Sequence, residues 1–96
     1  VKTTGPAPAP PKFTQLFTAE QTRDYNRTYD ESLDHVKRNL AALEKKSLTP
    51  AQRRAMDRIR TFQEQAEREH ERDLVTAVNL VKRADALSAD LVTRVQ

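Results

Sequence analysis

From Tyr25 to Val95 apolar side chains return at intervals of three and four residues, the spacing of a helix that buries one face. In the first stretch the seam runs Tyr25, Tyr29, Leu33, Val36, Leu40 and Leu43. It is opened by Thr18-Ala19-Glu20-Gln21, a capping box in which the Thr hydroxyl and the Gln side chain satisfy two backbone donors reciprocally. Glu20 and Asp24 suit the positive end of this helix, Lys45 and Lys46 its negative end, and Asp34 and Arg38 are spaced to pair on its outer side. A second start follows at Thr49, with Pro50 at the first helical position and Gln52 completing another capping box. Its apolar face is Ala55, Ile59, Phe62 and Ala66, with Met56 beside it.

The third stretch is the most apolar. Leu74, Ala77, Val78, Val81, Ala84, Ser88, Leu91 and Val95 fall on one face, and Leu80 and Leu87 widen it. Leu80, Val81, Ala84, Leu87 and Leu91 are expected to be largely buried. No Gly or Pro separates this stretch from the second, so one helix of about 46 residues, roughly 70 Å long, is one way to read it. Asp73 as an N-cap favours a break near Arg72 instead. Helices near 18–46, 50–71 and 73–95 then have similar lengths, as an antiparallel bundle requires. The fold expected is all-α, an antiparallel three-helix bundle over residues 18–96 preceded by an extended Pro/Ala-rich arm over residues 1–17.

That arm begins VKTTGPAPAPPK, a composition that favours extended polyproline II and forbids helix. It reads either as a linker or as a docking arm. The one Gly in the chain, Gly5, lies there, and from Lys12 onward Pro50 is the only helix breaker. A sheet protein needs turn residues at short intervals, so this scarcity excludes one.

Charge adds less than its abundance suggests. Charged residues make up 32% of the chain, yet the net charge is only +3. The signs nearly balance within each helical stretch, and most of the surplus is Lys2 and Lys12 in the arm. Such a surface carries no single-sign field to attract nucleic acid. There is no Cys, which removes disulfides, thiol catalysis and thiolate metal sites. No apolar run approaches the roughly 18 residues of a membrane span. The first residue is Val1, as expected after removal of a signal peptide or at the edge of a fragment.

Two heptapeptides are alike: Phe17-Thr18-Ala19-Glu20-Gln21-Thr22-Arg23 and Leu48-Thr49-Pro50-Ala51-Gln52-Arg53-Arg54. The second resembles the LTxxQ signature of the Spy and CpxP family of periplasmic helical proteins, and the first has Phe in place of Leu. The resemblance implies an ATP-independent chaperone or a stress-sensor inhibitor, and it covers these two segments only. The physical account of T-x-x-Q is the capping box itself. The stretch DLVTAVNLVKRADALSADL is similar to the second helix of a tetratricopeptide-like hairpin, with Ala77, Ala84 and Leu87 at packing positions. It has no second copy at the usual period of such repeats.

Candidate chemistry is sparse. His35 and His70 have Asn39 and Leu74 where a second ligand would stand, so both are expected at the surface or boundary, with no metal or cofactor bound. Asp30, Glu31 and Asp34 cluster, but a catalytic pair needs an enclosed pocket that a bundle of this size has little room for. No catalytic residue is expected.

Arg53, Arg54, Arg58 and Arg60 sit in the first turns of the second helix, where the macrodipole disfavours cations. They read as contacts for phosphate, lipid headgroup or acidic partner, or as partners of Asp57, Glu64 and acids on the first helix. Phe13 and Phe17 precede the first helix and suit either a plug against the bundle or anchors in a partner. The partner-binding candidates are therefore Pro8, Pro10, Pro11, Phe13, Phe17, Arg53, Arg54 and Arg58.

The leading expectation is a non-enzymatic helical interaction or assembly protein, a small accessory subunit of a bacterial cell-envelope complex. Its place would be periplasmic or secreted, with a protein partner or self-assembly and peripheral association with the envelope. The alternatives are a periplasmic chaperone-like binding protein and a nucleic-acid-associated protein using the arginine patch.

Overall fold

The computed structural model describes residues 17–95. The arm candidates Pro8, Pro10, Pro11 and Phe13 lie outside the described residues. Three helices make up the described chain: α1 (Ala19–Glu44), α2 (Pro50–Glu69) and α3 (Leu74–Val95). Each is preceded by the cap read from the sequence. The Thr18 and Thr49 hydroxyls accept from the Gln21 and Gln52 amides at 3.0 and 3.1 Å, and each Gln side chain accepts from its Thr amide at 2.9 Å. Asp73 accepts from the Thr76 amide at 3.1 Å and from the Thr76 hydroxyl at 2.7 Å, which starts α3.

The continuous-helix alternative is thereby excluded. The Arg72 and Asp73 amides turn back to the Glu69 carbonyl at 3.0 and 2.7 Å, ending α2, and the Asp73 carboxylate re-aims the chain.

The helices run up, down and up. His35 meets Asp85 and Asn39 meets Ser88, so α1 and α3 are parallel. The Arg83 guanidinium lies 5.7 Å from the centre of the Phe62 ring, and the start of α2 lies beside the end of α3, so those two are antiparallel.

The layout is uneven. α3 packs closely along both partners, whereas α1 and α2 approach each other at few positions. Side-chain size is the reason. α3 turns Ala77, Ala84 and Ser88 inward, all fully buried, so neighbouring backbones come close. The buried residues toward the α1–α2 connection are larger, Leu40 and Leu43 on α1 and Met56 and Ile59 on α2. Val36, Val81, Ala66, Val78, Leu91 and Tyr29 complete the core.

Two details differ from the expected seam. Ser32 is buried and Leu33 only half-buried, the reverse of a strict apolar stripe. Ser32 shares a flank with His35 and Asn39, which reach the closely packed α3. Leu33 lies about two turns after Asn26 and three before Glu44, both of which reach α2 across the wider gap. The second difference is on α3. Val81, Ala84 and Leu91 are buried as expected, but Leu80 is half-buried and Leu87 is 37% exposed. Leu87 lies on the flank of Arg83 and Arg94, which faces away from α1.

Candidate functional site: a groove between α2 and α3

Leu87 opens onto a groove of about 490 Å³ at the end of the bundle where α2 begins and α3 ends. It is lined by apolar Ala51, Ala55, Ile59, Leu87 and Leu91, by Thr49 and Gln52, and by the charged Arg58, Asp90 and Arg94. No α1 residue lines it. Among the described residues Leu87 is the one large hydrophobic side chain classed as exposed. The groove therefore combines burial-seeking surface with charge at its edge, the composition of a docking site rather than of a solvated face.

The local sequence explains the shape. Ala51 and Ala55 are a turn apart at the start of α2, and their small side chains leave room for the groove above the buried Ile59 and Leu91. Larger residues there would close the groove.

The arginines predicted as partner contacts separate into two kinds. Arg60 is engaged inside the molecule, with Glu44 on α1 and with Asp57 at 3.6 Å. Arg53, Arg54 and Arg58 are exposed and have no ion-pair partner among the described residues. Arg58 lines the groove, and Arg54 precedes it by one turn on the same face of α2. Arg53 points to a different cleft of about 240 Å³, shared with Leu43, Lys46 and Leu48 of the α1–α2 connection. The α2 first turn holds no acid, whereas α1 has Glu20 there. The start of α2 thus carries Arg53 and Arg54 with no acid beside them in its first turn.

Phe17, the described member of the aromatic pair, is half-buried against α1, its ring 5.0 Å from that of Tyr25 at an angle of 51°.

The histidines occupy structural settings. His70 stacks on Tyr29 with ring centres 4.2 Å apart, and its Nε2 lies 2.8 Å from the Asn26 Oδ1. Since Asn26 donates its own amide to the Thr22 carbonyl at 3.0 Å, its oxygen is left to accept, and His70 is the donor. His35 Nδ1 lies 3.2 Å from Asp85 on an exposed edge between α1 and α3. Asp24, Asp34 and Asp90 pair with Arg27, Arg38 and Arg94 along their own helices. Among the described residues no three His, Asp or Glu side chains converge as a metal site. No helix of the described chain is long and apolar enough to cross a membrane.

The class these features define is a small three-helix bundle with an open interhelical groove. Compared with known proteins, the chain matches no family model, no curated protein and no solved structure.

The groove itself was not foreseen. Its signal in the sequence is Leu87, which widens the α3 face, together with the small Ala51 and Ala55 opposite.

Proposed function

We propose that the protein is a non-enzymatic helical interaction subunit that docks into a larger assembly through the α2–α3 groove. The observation that carries this reading is Leu87, exposed over an apolar floor that α1 leaves uncovered. Around it the groove gathers Ala51, Ala55, Ile59 and Leu91 into one apolar lining with a few charged groups at its edge, the usual composition of a concave binding site. Several ionisable groups of the described residues, among them Asp24, Asp34, Glu69 and Asp90, are held in surface pairs along single helices. The Pro/Ala-rich segment at residues 5–11 serves in this reading as a tether, because pre-extended proline chains lose little entropy on docking. A bacterial cell-envelope setting, periplasmic or secreted, belongs to the same proposal and rests on that tether.

The test is the size of the native assembly in extracts of the source cells. The wild-type chain should run in a species larger than the monomer. Leu87→Glu and deletion of residues 1–12 should each shift it toward the monomer, with helicity by circular dichroism unchanged. A wild-type chain that runs as a monomer overturns the reading.

A chaperone-like reading draws on one specific feature. Thr49 and Gln52 of the LTxxQ-like segment line the groove, so a bound client segment would lie against that motif. Suppression of client aggregation by the purified protein, lost in Leu87→Glu, favours it over a fixed subunit.

A further inference from the structure

Resting on the docking role of this groove, we infer that its partner is an acidic amphipathic helix. The groove has the dimensions of a helix seat. Its α2 wall runs from Ala51 to Arg58 and its α3 wall from Leu87 to Arg94, each about two turns or 10 Å long. Two antiparallel helices with small residues facing outward present a trough into which a third helix lays its apolar face, reading anchors at i, i+3 and i+7. α1 lies against α3 without lining this side, so the incoming helix would complete a four-helix arrangement over Ile59, Leu87 and Leu91.

Charge selects the kind of helix. The two α3 rim charges already neutralise each other, with Arg94 Nε donating to Asp90 at 2.8 Å. Arg58 on the α2 rim, and Arg54 one turn before it and outside the lining, have no acidic partner among the described residues, and the first turn of α2 holds no acid. The unbalanced charge at the groove is therefore positive. Carboxylates flanking the apolar stripe of a partner helix would answer both the arginines and the helix end. A second copy of this chain fits less well. Pairing groove with groove supplies no surplus acid to Arg54 and Arg58, because Asp90 is held by Arg94.

The test uses the full 96-residue chain and two labelled synthetic peptides of about 18 residues, long enough to approach helicity. Both carry leucines at i, i+3 and i+7, and one has glutamates where the other has lysines on the flanking positions. Binding is followed by fluorescence polarisation at low and physiological salt. The glutamate peptide should bind at least about tenfold more tightly than the lysine peptide, and added salt should weaken it.

The double variant R54E/R58E should reverse that preference. Leu87→Gln should weaken both peptides, with the fold of each variant checked by circular dichroism. Equal binding of the two peptides, still dependent on Leu87, overturns the acidic partner and leaves the docking role standing. Absence of binding by either peptide overturns the inference, and the assembly-size experiment judges the docking role separately. Tighter binding of a short duplex DNA through Arg54 and Arg58 overturns it in favour of nucleic acid. Leu87-dependent self-association without peptide binding overturns it in favour of a second copy.

Discussion

At the scale of single residues, the buried polar groups carry the sharpest energetic consequences. Ser88 is fully buried, and its hydroxyl donates to the Asp85 carbonyl at 2.9 Å while accepting from the Asn39 side chain at 2.9 Å. It is small enough for α3 to lie close to α1 and polar enough to hold Asn39 at the edge of the core. Ser88→Ala keeps the close approach but strands the half-buried Asn39 amide, a loss expected at about 1–2 kcal/mol in urea unfolding. A double-mutant cycle with Asn39→Ala should show coupling of about 0.5 kcal/mol or more, and simple additivity would mean that the contact contributes nothing.

Tyr29 supplies a pH dependence. Its phenol is pushed above the ordinary range, first by burial and then by the carboxylates of Glu67 and Asp30. The folded state therefore holds the proton more tightly than the unfolded chain, whose Tyr titrates near about pH 10. Stability from this group is fully present below about pH 10 and falls as pH rises through the folded value. Tyr29→Phe, followed by unfolding between neutral pH and about pH 11, should flatten that decline. Parallel curves for the two proteins would remove Tyr29 as the cause. Neither role was readable from the seam alone. Ser88 stood in the apolar stripe as a small residue, but its two partners come from tertiary structure.

At the scale of elements, start signals were legible because they are local chemistry. Thr18 and Thr49 each satisfy backbone amides within four residues of themselves, so sequence spacing alone identifies them. The α2–α3 break was harder, since Glu69 to Asp73 lacks Gly and Pro and its periodicity runs on through His70. What decides it is the Asp73 carboxylate on Thr76, again a local bond. Asp73→Ala should lower stability by about 1 kcal/mol in thermal or urea unfolding, the usual cost of losing an N-cap. An unchanged midpoint would shift responsibility for the corner to the His70–Tyr29 stack and its bond to Asn26. The stop positions were read less well. α1 ends at Glu44 and α2 at Glu69, each two residues before the expected end, where the Lys46 and Arg72 amides turn back to the Leu43 and Glu69 carbonyls at 3.0 Å.

At the scale of the whole molecule, α3 is the common partner, and its apolar width exceeds what its two neighbours cover. A sequence reports that width but not which flank faces protein and which faces water. Leu87 and Leu91 are one turn apart and read as equivalent core residues, yet α3 turns Leu91 to 5% exposure and leaves Leu87 at 37%. Truncation should separate them. Leu91→Ala removes a fully packed side chain beneath the groove and should cost about 2–5 kcal/mol, the range for a buried leucine. Leu87→Ala removes a side chain already open to solvent and should cost less than about 1 kcal/mol in the isolated protein. The same Leu87 substitution should weaken assembly, since the surface it exposes is what the proposed partner would cover. Urea unfolding of both variants, set beside their assembly behaviour, tests this division directly. Equal destabilisation at the two positions would mean that Leu87 belongs to the core after all, and the groove would then lose its exposed apolar anchor.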